Sequence, residues 1–186
     1  MLLEEYADYK APVNKILRLI ENGKYVKLTK GLYETDKTIP GYLLANAIYN
    51  PSYLSFEFAL SYHGLIPEAV YTFTSATYKK KKKKKYVNYF GTFTYRDVPE
   101  AAFPYEIEIH KENHYIYRIA SAEKALCDKL YCMKPLKSQS ELRLLLFDDL
   151  RIDETRFHEL NKETLVMLCD LYGATNLKLL KKVLMR

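Results

Sequence analysis

Apolar positions near the start of the chain repeat at helical spacing. Val13, Ile16, Leu17 and Ile20 fall at i, i+3, i+4 and i+7, which lays one apolar stripe on a helix over residues 12–22. Pro12 suits the first helical position, and Gly23 after Asn22 suits a left-handed stop. The period then changes. Val26 and Leu28 alternate with Tyr25 and Lys27, Thr29-Lys30-Gly31 is a turn, and Leu32-Tyr33 begins a returning strand. A helix followed at once by a small hairpin is the arrangement of a winged-helix module.

The pattern continues with short elements. Residues 42–49 read as a helix ended by Asn50-Pro51, and a second helix follows Ser55 and ends at Gly64. Stretches 70–77 and 86–96 are rich in β-branched and aromatic residues and read as strands, as do 105–110 and 115–120. The rest is helical. Ser121 caps a helix to about Met133, Pro135 breaks it, and further helices fit 140–149, 153–160, 162–172 and 176–185, with Asp153, Asn161 and Thr175 as caps. Strands followed by segregated helices predict an α+β fold. Its expected parts are an abbreviated winged-helix module over 1–36 and an α+β unit over 37–186. That unit has a mixed or antiparallel sheet and turns helical from about 121.

Composition narrows the class. Of 186 residues, 48% are hydrophobic and 28% charged, which is ordinary for a globular chain. No uncharged apolar run approaches the ~18 residues of a transmembrane helix, and the acidic start MLLEEYADYK is unlike a secretory signal. Cys127, Cys132 and Cys169 are odd in number and lack CxxC spacing, against a disulfide framework or a zinc site. Each is expected on a buried helix face, in a reducing cytoplasm.

Charge is uneven. Residues 10–33 hold six Lys or Arg and one Glu, Lys79–Lys85 is an unbroken run of seven lysines, and the chain as a whole carries +6. Two basic islands therefore sit on an acidic body, which suits a polyanionic partner such as nucleic acid.

The runs TKGLYETD, NPSYLSFEFALSYHGLIPEAVYTFTSAT, FGTFTYRDVP and RIASAEKALCDKLY together resemble the AbiEi family, over about residues 12–133 and in family order. These are antitoxins of type IV abortive-infection toxin–antitoxin systems, described as transcriptional regulators of viral defence. The resemblance implies a winged-helix N-terminal domain that binds the promoter of its own operon and represses it. It also implies a C-terminal domain that counteracts a nucleotidyltransferase-like toxin without requiring a stable complex. Family members begin with a three-helix module. Only nine residues precede Lys10 here, so that module is expected to be abbreviated.

On the expected recognition helix, Asn14, Lys15 and Arg18 lie off the apolar stripe. Asn suits adenine and Arg suits guanine in the major groove. Lys10, Lys24, Lys27 and Lys30 suit phosphates, which position a protein without specifying sequence. The competing reading is a surface helix with solvated charges. Lys79, Lys80, Lys81, Lys82, Lys83, Lys84 and Lys85 repel one another and are expected in an exposed, mobile loop. That loop either grips a polyanion or is a solvated hairpin tip. Tyr78, Tyr86 and Tyr89 flank it and could stack on bases, although half-buried core is the plainer reading.

Enzyme signals are weak, and no catalytic residue, cofactor or metal is expected. Ser121 and Lys124 match S-x-x-K, but a helix cap is expected at Ser121 and the partner motifs SDN and KTG are missing. His63, His110, His114 and His158 show no metal spacing, and Asp148, Asp149 and Asp153 read as a helix end and cap. The first expectation is thus a DNA-binding autoregulator and antitoxin. The second is a protein-interaction module with a vestigial winged helix, binding an acidic partner through the Lys79–Lys85 loop.

Overall fold

The computed structural model describes residues 8–185. The residues preceding them, where a leading helix would belong, lie outside the described part. Helix α1 spans Pro12–Glu21 with proline in its first turn. It stops as expected. Gly23 adopts φ +68°, and the Lys24 and Tyr25 N–H groups fold back onto the Leu19 carbonyl at 2.8 and 3.2 Å. The expected stripe is rotated, however. Ile16 is the buried residue, Leu19 and Ile20 are half-buried, and Val13 and Leu17 stand 58% and 51% exposed. The inward side of α1 runs along Ile16, Leu19 and Ile20, so two of the four stripe positions face solvent.

Strands β1 (Val26–Thr29) and β2 (Leu32–Glu34) form an antiparallel hairpin. Its buried residues are Tyr25 and Leu28 rather than Val26 and Leu28, because the register slips between Lys27 and Thr29. Such a slip breaks the period of two. A 3-10 turn (Gly41–Leu44) then leads into α2 (Ala45–Ile48), β3 (Tyr53–Leu54) and α3 (Phe56–Tyr62).

A six-stranded mixed sheet follows, built from β3 with β4 (Thr72–Thr77), β5 (Lys84–Asn88), β6 (Gly91–Asp97), β7 (Ile107–Glu112) and β8 (Tyr115–Ala120). The spatial order is β5-β6-β4-β3-β8-β7. Strands β4 and β6 run parallel, β5 and β6 antiparallel, and β3 pairs parallel with β8 and antiparallel with β4. The stretch 86–96 is therefore two strands, not one. It turns at Tyr89-Phe90, where Gly91 takes φ +130° and Asn88 Oδ1 accepts the Phe90 N–H at 2.9 Å. Because β6 lies between β4 and β5, the lysine run is a crossover past the end of β6 rather than a hairpin tip.

Helices α4 (Ala122–Tyr131), α5 (Gln139–Leu144), α6 (Glu154–Glu159), α7 (Lys162–Tyr172) and α8 (Thr175–Leu184) complete an α+β fold, with a π turn at Leu145–Asp149 after α5. Ser121, Asp153 and Asn161 cap α4, α6 and α7 by accepting the N–H three residues on. Thr175 does not cap α8; Ala174 holds that position without a side-chain bond.

Helix α4 is central, packed against α3 on one side and α7 and α8 on the other. Six of its ten residues are therefore buried, including Lys124 and Asp128. One continuous core runs from Leu28 and Ile39 through Phe93 and Tyr95 to Leu126, Leu168 and Leu180, so the hairpin shares the core of the sheet. Cys127 and Cys169 lie in it, but Cys132, one residue past the end of α4, is exposed against expectation.

Candidate nucleic-acid interface

The first basic island is displayed on α1 and the hairpin. Asn14 and Arg18 are exposed on the outer side of α1, one turn apart. Lys15 is half-buried, with its ammonium group 5.2 Å from the centre of the Tyr9 ring. Lys10 precedes the helix, Lys24 sits in the turn after it, Lys27 is on β1 and Lys30 is at the hairpin tip beside Gly31; all four are exposed. The same outer side also carries Glu21, Val13 and Leu17.

The hairpin is seated on the edge of the large sheet. Asn88, the last residue of β5, donates its side-chain N–H to the Leu28 carbonyl at 3.3 Å. The other end of β5 is Lys84, where the lysine crossover arrives. Four residue steps separate Lys84 from Asn88, about 13 Å at the strand rise. The edge strand thus links the two basic islands, more than forty residues apart in sequence, into one flank. Lysines on an edge strand also block edge-to-edge pairing, which is their ordinary structural use.

The crossover is not the free, mobile loop expected from seven repelling charges. Lys84 and Lys85 belong to β5, opposite Tyr95 and Thr94. Lys79 pairs with Glu100 at 2.6 Å. Lys80 donates to the Asn50 carbonyl at 3.0 Å and lies 4.9 Å from the Tyr49 ring centre. The Lys81 N–H donates to Asp97 Oδ2 at 2.7 Å. Two left-handed lysines, Lys79 at φ +56° and Lys81 at φ +59°, are held by these contacts. Only the ammonium groups of Lys81–Lys85 lack a side-chain partner among the described residues of the run. Of the flanking tyrosines, Tyr78 and Tyr86 are half-buried, as the plainer reading had it. Tyr78 packs on Phe103 and Tyr86 on Tyr49 and Tyr95. Tyr89 is 65% exposed.

Two constellations were not read from the sequence. Beneath the crossover, Arg96 donates to Glu57 Oε2 at 2.8 Å and lies 4.4 Å from the Phe56 ring centre, while Lys129 donates to Glu57 Oε1 at 2.6 Å. Burial pushes Glu57 up, but Lys129 and Arg96 outweigh it and hold the carboxyl below its ordinary range.

The second lies deep in the core. Asp128 accepts from Ser55 Oγ at 2.6 Å, from the Tyr53 hydroxyl at 3.0 Å and from the Tyr172 hydroxyl. Lys124 donates to the Tyr172 oxygen at 2.7 Å and to the Ala102 carbonyl at 2.5 Å, and stands 3.7 Å from Asp128. Burial raises Asp128 and lowers Lys124. Neither side chain reaches solvent, so this network organises the core and presents no surface to a substrate. Its sequence signal was Lys124 and Asp128 at i, i+4 in a helix without a clean polar face. Ser121 Oγ, meanwhile, caps α4 by accepting the Lys124 N–H at 3.2 Å.

His110 bonds Glu108 at 2.7 Å and stacks on Tyr117, and His63 bonds the Ala120 carbonyl at 2.7 Å. Among the described residues, no helix is long and apolar enough to cross a membrane. Comparison with protein-family models, with curated proteins and with solved structures finds no match to this chain.

Proposed function

We propose that this chain is a DNA-binding autoregulator and antitoxin of the AbiEi type, acting in the cytoplasm, repressing its own operon and counteracting a nucleotidyltransferase-like toxin. The observation that carries the reading is a helix with Asn14 and Arg18 exposed one turn apart, followed at once by a basic hairpin seated on a lysine-bearing sheet edge. In this reading α1 is the recognition helix and enters a major groove about 12 Å wide. Asn14 and Arg18 read base edges. Lys10, Lys15, Lys24, Lys27 and Lys30 neutralise phosphates on either side, and β5 carries the contact toward the crossover.

The test is a gel shift on the DNA upstream of the gene at two salt concentrations. Four to six phosphate contacts give a log–log salt slope of roughly −4 to −5. Lys15→Glu/Arg18→Glu is expected to abolish the shift, and an unchanged shift would remove α1 from the interface.

A second reading is favoured by Val13 and Leu17, exposed apolar residues beside Asn14 and Arg18. In it, the helix-and-hairpin module no longer reads DNA, and the chain binds an acidic protein partner through Lys79–Lys85. It predicts no sequence-preferring shift, and a toxin pull-down that is lost when those lysines are neutralised.

A further inference from the structure

We infer that the recess between the lysine crossover and the end of α4 is a binding site for a compact oligophosphate, such as the phosphate chain of a nucleotide or free inorganic triphosphate. The recess holds about 370 Å³ and is lined by Lys81, Lys82, Lys83, Arg96, Asp97 and Cys132. That volume lies within the roughly 300–1,000 Å³ of small-molecule sites. Four cations meet one carboxylate there. That carboxylate is already occupied: Asp97 accepts from Thr77 Oγ1 at 2.6 Å and from the Lys81 N–H at 2.7 Å. The ammonium groups of Lys81, Lys82 and Lys83 have no ion-pair partner among the described residues.

Three unpaired lysines that line one concavity repel one another, and a multiply charged anion relieves that repulsion. The chemistry of the walls selects its class. No aromatic or branched aliphatic side chain lines the recess, so nothing there stacks on a base, while its four cations suit charged oxygen. The concave shape favours a protruding phosphate chain over the side of a duplex. Arg96 brings a planar guanidinium whose remaining N–H groups suit phosphate oxygens. It is held in place by Glu57 and the Phe56 ring, so part of the site is preorganised. The backbone is fixed as well, through Lys80–Asn50 and Lys81–Asp97.

This site is separate from α1, so its test does not depend on the DNA reading. Cys132 supplies the readout, because it lines the recess and is exposed while Cys127 and Cys169 are buried. The full chain is alkylated with iodoacetamide and the Cys132 adduct followed by mass, with and without inorganic triphosphate. Titration calorimetry gives the affinity. Triphosphate is expected to slow alkylation severalfold. Lys82→Gln/Lys83→Gln is expected to bind it about tenfold or more weakly, since each lost charged hydrogen bond is worth at least that factor. Lys111→Gln, on β7 at the opposite edge of the sheet, is expected to stay within about twofold, because screening at physiological salt limits exposed charges to a range of ~8 Å.

A nucleoside triphosphate that protects as well as triphosphate shows that phosphates alone are read, and one that protects better shows a nucleotide. Lys15→Glu/Arg18→Glu is expected to lose any DNA shift yet keep triphosphate protection, which separates the two proposals. The inference is overturned if millimolar triphosphate leaves the Cys132 rate unchanged, if the Lys82/Lys83 variant is protected as well as the parent, or if only duplex DNA protects.

Discussion

Replacing Asp128 by alanine is expected to unfold this protein more readily than loss of any single core methyl group. The carboxylate has no exposed surface and is the shared acceptor for Ser55, Tyr53 and Tyr172. It also faces the buried Lys124 ammonium at 3.7 Å. Removing it strands three hydroxyl groups and leaves a buried cation with only the Ala102 carbonyl and the Tyr172 oxygen. Breaking a buried pair by deleting one partner costs about 3–5 kcal/mol. In a chain of this size each kcal/mol moves Tm by about 2–4 °C, so Asp128→Ala should lower it by roughly 6–20 °C. The companion variant Lys124→Met/Asp128→Leu removes both charges and fills the space with apolar atoms, and is expected to recover most of the loss. Chemical denaturation of wild type, both singles and the double closes the cycle. A cost under ~1 kcal/mol for Asp128→Ala, or a double variant as unstable as the single, would refute the view that this network is one coupled unit.

Two other outcomes follow from local geometry. A Cβ on Gly41 would stand 2.4 Å from Phe73 Cε2 and 2.7 Å from the Phe90 carbonyl oxygen. Gly41→Ala is therefore expected to cost about 1–3 kcal/mol by overpacking, read as a shift in denaturation midpoint without a change in slope. Glu57 is held below its ordinary 4.5 by Lys129 and Arg96 despite burial, so the stability it contributes is present above 4.5 and is lost as pH falls through the lower, folded-state value. Glu57→Gln is expected to make stability fall less steeply with acid in that window, as followed by thermal melts at successive pH values.

Local chemistry was legible in the sequence at several boundaries that a single residue decides, though not at Thr175. Ser121, Asp153 and Asn161 each supply a side-chain oxygen to the N–H three residues on, and Gly23 ends α1, because these jobs need only a short polar side chain or a positive φ. Patterning failed where neighbours set the answer. The stripe on α1 was the right period with the wrong orientation, since nothing in the sequence says which edge of a four-residue stripe meets the body. The run 86–96 hid a turn because Tyr89 and Phe90 look like strand residues and only Gly91 interrupts them. Lys124 and Asp128 stand at i, i+4 on α4, a spacing that does not tell a buried pair from an exposed one. They are buried because α4 is enclosed by α3, α7 and α8, a fact of tertiary packing that no helical period encodes.

The lysine run shows why counting charge is a poor guide to where charge acts. Seven identical residues have no period, so the sequence could assign them only one common fate. In the fold they take three. Lys79 and Lys80 lean on Glu100, Asn50 and Tyr49, and tether the crossover. Lys84 and Lys85 continue into β5, where exposed side chains on an edge cost little and discourage pairing with another sheet. Lys81, Lys82 and Lys83 line one recess beside Arg96. Neutralising the run as a block therefore removes tether, edge protection and recess together, so it tests whether the run binds a partner, and single substitutions tell which part does. Exposed pairs such as Lys79–Glu100 contribute little stability, so Lys79→Gln should leave both fold and recess nearly intact. The charge that matters to a ligand is the part the fold leaves unpaired.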